Sequence, residues 1–278
     1  MFFCTFASMN RKLTITLVLL AAAFQTAAAQ SPISIFKENY ASFGMPLNAK
    51  PGWETNDVTF QISLRYNLFQ NIADQDWDVF VAYSQLTAWN FFWPSNPFRG
   101  NTYMPSLFAY HPIKRGPYGI ESDILFGYDH RSNGLDGAGS RTFDCLLATY
   151  THTFSGRFTT QVTGRIGMGS IYNDFSMEML TRYQGFFNLA LCYHSLDRRW
   201  MVSASVSPLI NKEVPANVTA EIAFRPFQLW DWLYIVARYH YGYDENQLDC
   251  GNPDVFLKHM VRFGISAQPS ILSHKLFL

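Results

Sequence analysis

The sequence has few charged residues, few cysteines and only one long apolar run. Charged residues make up 15% of the 278 residues, and the formal net charge is +0. Because nucleic-acid binding needs a surplus of Lys and Arg, no nucleic-acid partner is expected. The four cysteines, at positions 4, 145, 192 and 250, are widely separated. Cys145, Cys192 and Cys250, the three that lie after residue 29, are an odd number scattered along the chain, so a disulfide framework is not the organising device and no metal-ligand spacing appears.

The one long apolar run lies near the start of the chain. Arg11 and Lys12 precede the run Leu13–Phe24, and the small residues Ala27–Ala29 follow it. This order is typical of a secretory signal peptide. A transmembrane anchor is the alternative, but the run is shorter than the roughly 20 residues that a spanning helix needs. We therefore expect residues 1–29 to be a cleaved signal peptide.

The remaining chain, residues 30–278, is long enough for one large domain. Met9 is favoured over Met1 as the true start, because the basic residues then follow it directly. Beyond the apolar run no window is apolar enough for a membrane helix, yet aromatic residues reach 17% of the chain.

Apolar and polar side chains alternate along most of this domain. Alternation with a period of two indicates β-strands, because successive side chains of a strand point to opposite faces. No helical period competes with it. Twelve strands are predicted, at Asn39–Pro46, Val58–Asn67, Trp77–Thr87, Tyr103–Pro112, Tyr118–Ser132, Ser140–Phe154, Arg157–Gly169, Tyr183–Ser195, Trp200–Leu209, Ala216–Phe224, Trp232–Tyr243 and Phe256–Gln268.

The predicted strand Tyr118–Ser132 shows the two faces clearly. Phe126 and Tyr128 share one face, whereas Asp123 and Asp129 share the other. In a soluble β-sandwich the charged face would meet water and the apolar face would meet a core. In an outer-membrane barrel the apolar face meets lipid and the polar face lines the lumen.

Three features favour an all-β antiparallel transmembrane β-barrel of about 12 strands over a secreted soluble β-protein. They are the signal peptide, the aromatic content expected of interfacial girdles, and connections that alternate between short and long. The short connections are Lys114–Pro117, Ser155–Gly156 and Leu196–Arg199, and the longer ones are Phe92–Thr102, Asn133–Gly139, Ser170–Arg182 and Asp244–Val255. The turn near Leu68–Asp76 breaks the alternation. The expected location is the outer membrane.

One predicted hairpin carries residues with the chemistry of a hydrolase. His130 and Ser132 lie on the apolar face of their strand, and in a hairpin centred on Gly137 the residue Asp144 lies opposite His130. A serine becomes a nucleophile when a base is adjacent, and a third group orients that base. We therefore predict a Ser132 nucleophile, a His130 base and an orienting Asp144 on the lipid-facing wall.

Each of these residues also has a simpler interpretation. A lone H-x-S motif is usually an interfacial histidine beside an ordinary hydroxyl, but the facing aspartate favours catalysis. A charge on the wall costs roughly 0–1 kcal/mol near the interface and about 2–4 kcal/mol at the midplane, and these residues flank a long loop. Gly134, Gly137 and Gly139 fit an ordinary turn. Gly134 could also present its backbone N–H to an oxyanion.

Two motifs resemble those of the outer-membrane phospholipase A family of Gram-negative bacteria. One is "YDHRSNG" with the following "SR", and the other is "YSQLTAWNFFWPSNPFRGNTYMPSLF" at Tyr83–Phe108. Weaker similarity at Val58–Leu64, Tyr183–Gly185 and Tyr241–Asp249 extends the resemblance along nearly the whole mature chain. The resemblance implies a twelve-stranded barrel that hydrolyses acyl esters of phospholipids, with A1, A2 and lysophospholipase activity.

The resemblance also implies a role for each residue of the hairpin. His130 matches the general base of the family and Ser132 matches its nucleophile. Asp144 matches the third catalytic position, which is usually Asn in the family. Gly134 is placed at the oxyanion hole, where its N–H would face the developing negative charge.

A calcium ion shared between two subunits is a further implication of the resemblance. Its ligands would be Ser140 and the carbonyl of Leu135 on one subunit and Ser95 on the facing one. Leu135 stands where the family usually has Arg, a change that a main-chain ligand tolerates. Without the resemblance, Ser95 would be interpreted as a turn residue. Gln85 could orient substrate or bridge subunits, but a hydrogen bond in the lumen or wall explains it equally well.

The sequence thus predicts a calcium-dependent phospholipase that acts on membrane phospholipids as a homodimer. The alternative is a non-catalytic barrel, either a small pore or a structural protein, that inherited the same scaffold. The Asp144 and Leu135 departures are the features that support this alternative.

Overall fold

The computed structural model describes residues 33–52, 55–168, 178–230, 232–243 and 257–267, most of which lie in β-strands. The predicted signal peptide, the two candidate start positions and Cys250 lie outside these residues. The chain divides into the compact units Met1–Ser34 and Ile35–Leu278. The second unit contains the domain predicted from the sequence.

The described residues form thirteen strands, of which the first is a short segment that the sequence did not predict. Their bounds are β1 Ile33–Ile35, β2 Asn39–Pro46, β3 Asp57–Ile72, β4 Trp77–Trp89, β5 Phe98–Gly116, β6 Gly119–Ser132, β7 Thr142–Phe154, β8 Phe158–Gly167, β9 Phe187–His194, β10 Trp200–Pro208, β11 Ala216–Phe224, β12 Leu233–Tyr243 and β13 Leu257–Ala267.

Strands β2 to β13 close into an antiparallel barrel. Each pairs with the next, and β13 pairs with β2 through a register that includes Arg262 opposite Gly44. The predicted fold class and strand number are therefore confirmed. A closed barrel leaves no unpaired strand edge within the ring.

Two sequence-based expectations about local structure were wrong. Strand β3 continues to Ile72 instead of ending at Asn67, so the β3–β4 connection is the short turn 73–76 and the alternation of connections is not broken. Asn71 stabilises this turn by accepting a hydrogen bond from the Asp76 N–H at 3.0 Å. A short π-helical turn, Met179–Gln184, precedes β9, where no helix was expected.

Apart from 225–232, the connections at one end of the barrel are shorter than all those at the other. The first set is 73–76, 117–118, 155–157, 195–199 and 225–232, and the second is 47–56, 90–97, 133–141, 168–186, 209–215 and 244–256. Short inner turns and long outer loops are usual in outer-membrane barrels. The end with residues 133–141 is therefore the outer end.

The outside of the barrel is apolar on strand after strand. Exposed apolar side chains include Ile62, Leu107, Phe126, Leu146, Val162, Leu191, Val202, Ile222, Ile235 and Ile265. A soluble protein buries such residues, whereas a barrel in a bilayer presents them to lipid. Among the described residues, no helix is both long and apolar enough to cross a membrane.

The lumen is packed with apolar clusters near both ends. Close to the inner turns Phe36, Phe80 and Phe108 belong to one cluster, and close to the outer loops Phe143, Leu180 and Tyr243 belong to another. The cysteines at positions 145 and 192 are also buried. The described part of the lumen is thus largely filled by side chains.

Charged side chains form a row across the lumen between the apolar clusters. The register places Glu221 opposite Arg238 and Arg238 opposite Arg262. Arg238 donates from Nε to Glu221 Oε2 at 2.8 Å and also forms an ion pair with Glu38. Arg262 donates from Nη1 to Asp57 Oδ1 at 2.6 Å. These ion pairs link strands that lie on both sides of the β13–β2 closure.

Gly44 makes the Arg262–Asp57 pair possible. It lies on β2, between β13 and β3, opposite both Arg262 and Asp57. A Cβ atom on Gly44 would lie 2.5 Å from Arg262 Nη1 and 2.6 Å from Asp57 Oδ1, which is closer than real atoms approach. Because Gly44 has no side chain, the space beside it is free for the contact between Arg262 and Asp57.

We predict that Gly44→Val destabilises the folded barrel by about 3–5 kcal/mol, because it separates the buried Arg262 guanidinium from Asp57, whose carboxylate then keeps Arg99 as a partner at 3.1 Å. Gly52→Val is the matched control, since a Cβ there has only Thr55 Oγ1 at 4.0 Å. Urea unfolding in detergent, followed by tryptophan fluorescence, measures both variants. Equal stability of the two would show that the ion pair does not stabilise the closure.

Candidate functional site

The residues singled out in the sequence meet at the outer end of the β6–β7 hairpin. The predicted register is confirmed, because His130 pairs with Asp144 and Ser132 pairs with Thr142. Asp129 and Cys145, which flank the first pair in sequence, are fully buried in the lumen. His130, Ser132 and Asp144 therefore lie on the opposite, outward face.

A hydrogen-bonded chain of three side chains lies on this outer face. His130 Nδ1 is 2.7 Å from Asp144 Oδ1, and the Tyr128 hydroxyl donates to the same carboxylate oxygen. The His130 side chain is 28% exposed and the Asp144 side chain 16%, so both are partly shielded by their neighbours. With Nδ1 bound to Asp144, the ring nitrogen Nε2 remains for another partner.

Ser132 lies two residues beyond His130 on the same face. Among the described residues its hydroxyl forms no hydrogen bond, so the contact with His130 Nε2 is not made in this structure. Nucleophile–base hydrogen bonds are often long without substrate and shorten when substrate binds. The structure thus brings His130 and Asp144 together and leaves the Ser132 hydroxyl without a hydrogen bond to the described residues.

The opposite face of β6 is anchored in the lumen. Asp129 accepts hydrogen bonds from Ser106 Oγ at 2.6 Å and from Arg131 Nε at 3.0 Å. Because Asp129 and Arg131 alternate with Tyr128, His130 and Ser132, these buried bonds fix the strand that carries the outward residues. The alternation seen in the sequence therefore separates an anchoring inner face from the outward face that carries Tyr128, His130 and Ser132.

Asn133 organises the loop that follows Ser132. Its amide donates to the Gly139 carbonyl at 2.9 Å, and its Oδ1 accepts from the N–H groups of Leu135 at 3.2 Å and Arg141 at 3.1 Å. One side chain thus joins both ends of residues 133–141. Sequence analysis assigned Asn133 no role.

Gly134 lies beside Tyr103, at the start of this loop. Its φ is +69°, and a Cβ there would lie 2.6 Å from the Tyr103 ring. Tyr103 in turn pairs with Ser132 across β5 and β6. Both the backbone angle and the tight contact require glycine, which leaves its N–H close to the serine.

The oxygen atoms predicted to bind calcium are available in the loop. Among the described residues, neither the Leu135 carbonyl nor the Ser140 hydroxyl is engaged in a hydrogen bond. Asp136, the one carboxylate of the loop, caps the 3-10 turn Gly137–Gly139. Such hard oxygen donors suit calcium. The described residues contain no cluster of three His, Cys, Asp or Glu side chains that could hold a metal.

Ser95 lies in the β4–β5 loop, which opens at the same end of the barrel because β5 and β6 separate it from residues 133–141. It is exposed and has a φ of +65°, within a turn closed by the Asn96 N–H and the Trp93 carbonyl at 3.0 Å. Its predicted contact is with a second subunit. The structure contains a single chain, so this contact stays a prediction.

Gln85 lies on the outer wall and takes part in a small polar group. Its side chain bonds the Tyr83 hydroxyl at 3.1 Å, Asn101 Oδ1 at 3.3 Å and Thr87 Oγ1 at 3.4 Å. In the register Gln85 pairs with Tyr103, which pairs with Ser132. The polar group is therefore two strands away from the serine, on the same surface.

Sequence reasoning missed three residues that shape the site: Tyr128, Tyr103 and Asn133. Tyr128 was placed on the correct face, and its spacing of two from His130 makes it a diagonal neighbour of Asp144, a distance that a long side chain spans. Nothing in the sequence pointed to the contact between Tyr103 and Gly134, which depends on the register of β5 with β6.

Comparison with known sequences gives a consistent match. The model of the family described as Phospholipase A1 matches residues 17–255. The phospholipase A1 of Escherichia coli K12 is 29% identical over 161 residues, covering 57% of this chain and 53% of that protein. The Proteus vulgaris phospholipase A1 is 26% identical over 172 residues, and the match covers 57% of this chain and 58% of that protein. The chain thus spans little more than half the length of these curated relatives.

Solved structures match over a larger part of the chain. The outer membrane phospholipase A from Escherichia coli has a TM-score of 0.70 at 21% identity, covering 84% of this chain and 91% of that one. A Salmonella typhi outer membrane phospholipase dimer with bound calcium has a TM-score of 0.69, with the same identity and coverage. These matches show that the barrel has the fold of those proteins.

We predict that Asn133→Ala loosens the loop while leaving the barrel folded, because the three hydrogen bonds that join its ends are lost. Hydrogen–deuterium exchange of the Leu135 and Arg141 amides should become about 10-fold faster or more. Asn133→Asp is the matched control, since it keeps the acceptor and should protect these amides partly. Unchanged exchange in Asn133→Ala would contradict the assigned role.

Proposed function

We infer the function from the fact that this chain belongs to the phospholipase A1 family, and we propose that it hydrolyses acyl ester bonds of phospholipids. The observation that carries the proposal is the Tyr128–Asp144–His130 hydrogen-bonded chain on the outer wall, with Ser132 beside it. A site that faces hydrocarbon is suited to a substrate whose acyl chains remain in the bilayer.

The first step is the attack of Ser132 on the ester. Its Oγ bonds to the acyl carbonyl carbon while its proton passes to His130 Nε2, and the carbonyl oxygen becomes an oxyanion. Asp144, bonded to Nδ1 at 2.7 Å, fixes the tautomer that leaves Nε2 unprotonated for this role. The carboxylate also stabilises the imidazolium that forms.

The N–H of Gly134 is the protein donor proposed for the oxyanion, because the tight turn against Tyr103 holds it next to Ser132. The Leu135 carbonyl and the Ser140 hydroxyl, with Ser95 from a facing subunit, would hold the calcium ion. A bound calcium ion supplies positive charge to stabilise the oxyanion.

The second half of the reaction releases both products. The oxyanion collapses, the ester C–O bond breaks, and the departing lysophospholipid oxygen takes the proton from His130. This leaves an acyl group on Ser132. Water, deprotonated by His130, then attacks the acyl carbonyl, and the fatty acid leaves as the Ser132 hydroxyl regains its proton.

The packed lumen argues against the alternative of a small pore. Large side chains such as Phe80, Phe108, Phe143 and Leu180 occupy the lumen near its two ends. A water-filled channel needs a polar lumen that stays open. The exposed chemistry of this barrel is therefore on its wall rather than along its axis.

The proposed assembly is a dimer that forms through the wall near the site. Gln85 and its neighbours Tyr83, Thr87 and Asn101 form a polar group in a surface that otherwise faces lipid. Such polar groups are more stable when they form hydrogen bonds across an interface than when they face hydrocarbon. A second copy placed there would also bring its Ser95 towards the loop 133–141.

We predict that Ser132→Ala lowers phospholipid hydrolysis by at least about 10³-fold, because no other group supplies the nucleophile. The barrel should stay folded, as judged by its heat-modifiable gel mobility. His130→Ala should behave in the same way. Thr160→Ala, another hydroxyl on the outer face, is the control and should keep full activity; near-native turnover in Ser132→Ala would exclude it as the nucleophile.

A second prediction concerns the hydrogen-bonded chain. Asp144→Asn should keep measurable activity because an amide oxygen still accepts from the imidazole, whereas Asp144→Ala should lose more because nothing then holds the ring. Tyr128→Phe should lower kcat by about 10-fold, since the carboxylate loses the hydrogen bond that the Tyr128 hydroxyl donates. Tyr150→Phe on the same outer face is the control. Native rates in Asp144→Ala would show that another group orients His130.

A third prediction couples calcium to dimerisation, because a site shared between two subunits is complete only when both are present. Crosslinking of the purified protein in detergent should increase with calcium and fall with a chelator. Ser95→Ala and Ser140→Ala should each shift the calcium dependence to higher concentration, while Ser155→Ala in an inner turn should not. Dimer populations that stay constant across a wide calcium titration would contradict the shared site.

A further inference from the structure

The lumen holds a cavity that the proposed reaction does not use. Its volume is about 250 Å³, and it lies on the inner side of the wall that carries the site. Three cationic side chains line the part nearest β6 and β8: Lys37, Arg131 and Arg165. The neutral amides of Gln184 and Asn188 complete that part of the lining.

These cations outnumber the carboxylates that reach them. Asp129 pairs with Arg131 at 3.0 Å and with Lys37 only at 3.9 Å, and it also accepts from Ser106. The nearest other partner of the Lys37 ammonium is the Met104 sulfur, at 3.9 Å. Asp129 therefore compensates Arg131 well and Lys37 weakly.

Arg165 has no carboxylate partner among the described residues. Its Nε is buried without a hydrogen-bond acceptor, and its Nη1 reaches the Gly185 carbonyl at 3.5 Å, which is too long for a strong bond. A buried donor left unsatisfied is unfavourable, and a charged one more so. An acceptor that carries negative charge would remove this penalty.

The opposite part of the cavity has different electrostatics. Arg238 there is bonded by two carboxylates, those of Glu38 and Glu221, and each of these has one buried oxygen without a partner. That part is rich in negative charge and repels anions. The positive part around Arg165 and Lys37 is therefore the one place in the described cavity where an anion is favoured.

We propose that this cavity binds a small soluble oxyanion of the phosphate class between Arg165 and Lys37. The planar guanidinium can donate two parallel hydrogen bonds to such an oxyanion, and the ammonium and the amides can contact its remaining oxygens. A phospholipid headgroup is excluded as the source, because its acyl chains would have to enter a lumen separated from the bilayer by the barrel wall.

Equilibrium dialysis of the folded barrel in detergent against radiolabelled inorganic phosphate, at constant ionic strength, tests this proposal. The wild-type chain should bind phosphate saturably with about one ion per chain. Arg165→Gln should lower the affinity by about 10-fold or more, because charge-assisted bonds are lost. Arg157→Gln in the turn 155–157 is the matched control and should bind as the wild type does.

Two further variants keep the test decisive if Arg165→Gln folds poorly. Arg165→Lys keeps the charge and should retain part of the affinity, and Lys37→Gln should weaken binding without touching Arg165. Unlabelled sulfate should compete for the site, whereas chloride should not. Absence of saturable binding in the wild type, or equal binding by Arg165→Gln, would overturn the proposal.

Discussion

The closed ring of backbone hydrogen bonds is the constraint on which the rest of this molecule depends. Hydrocarbon offers no partner for a free N–H or C=O, so each strand has to pair on both sides, and β13 has to meet β2. Once the ring is closed, the two-residue period fixes the direction of every side chain. Asp129 then points inward and His130 outward, and no local change can reverse one without reversing the other.

The lumen gives this ring its internal support. The ion pairs of Arg238 and Arg262 run from β11 to β3 across the closure, and Asp129 anchors β6 from behind. Paired charges in a polar lumen are stable because both partners are present, whereas each alone would be unfavourable. Polar contacts on the inside of β6 thus hold its outward residues, His130 and Ser132, in place.

Much of this arrangement could be predicted from the sequence. The alternation located all twelve barrel strands, and equal offsets from Gly137 gave the pairing of His130 with Asp144. The end of β3 could not be predicted, because Leu68–Ile72 lies in a turn-rich context and only its pairing with β4 extends the strand. The helical turn Met179–Gln184 is held by tertiary packing against Phe143 and Tyr243, which no local pattern encodes.

The contacts that refine the site were also beyond sequence reasoning. Tyr128 reaches Asp144, and Tyr103 reaches Gly134, across neighbouring strands. Asn133 joins the two ends of a loop. Each contact depends on a register or a loop conformation that exists only after the barrel has formed. Residue type indicated the chemistry, whereas the closed sheet determined the partners.

The position of His130 on the outer wall has a consequence for how the activity of such a protein would be limited. Under the proposed function, the membrane that surrounds the barrel also contains its substrate. The ester is therefore always present, and a low substrate concentration cannot limit turnover. Activity would instead have to be limited by incomplete assembly of the two subunits. A lone barrel that lacks the Ser95 loop of a partner would therefore remain idle in the membrane it is able to degrade.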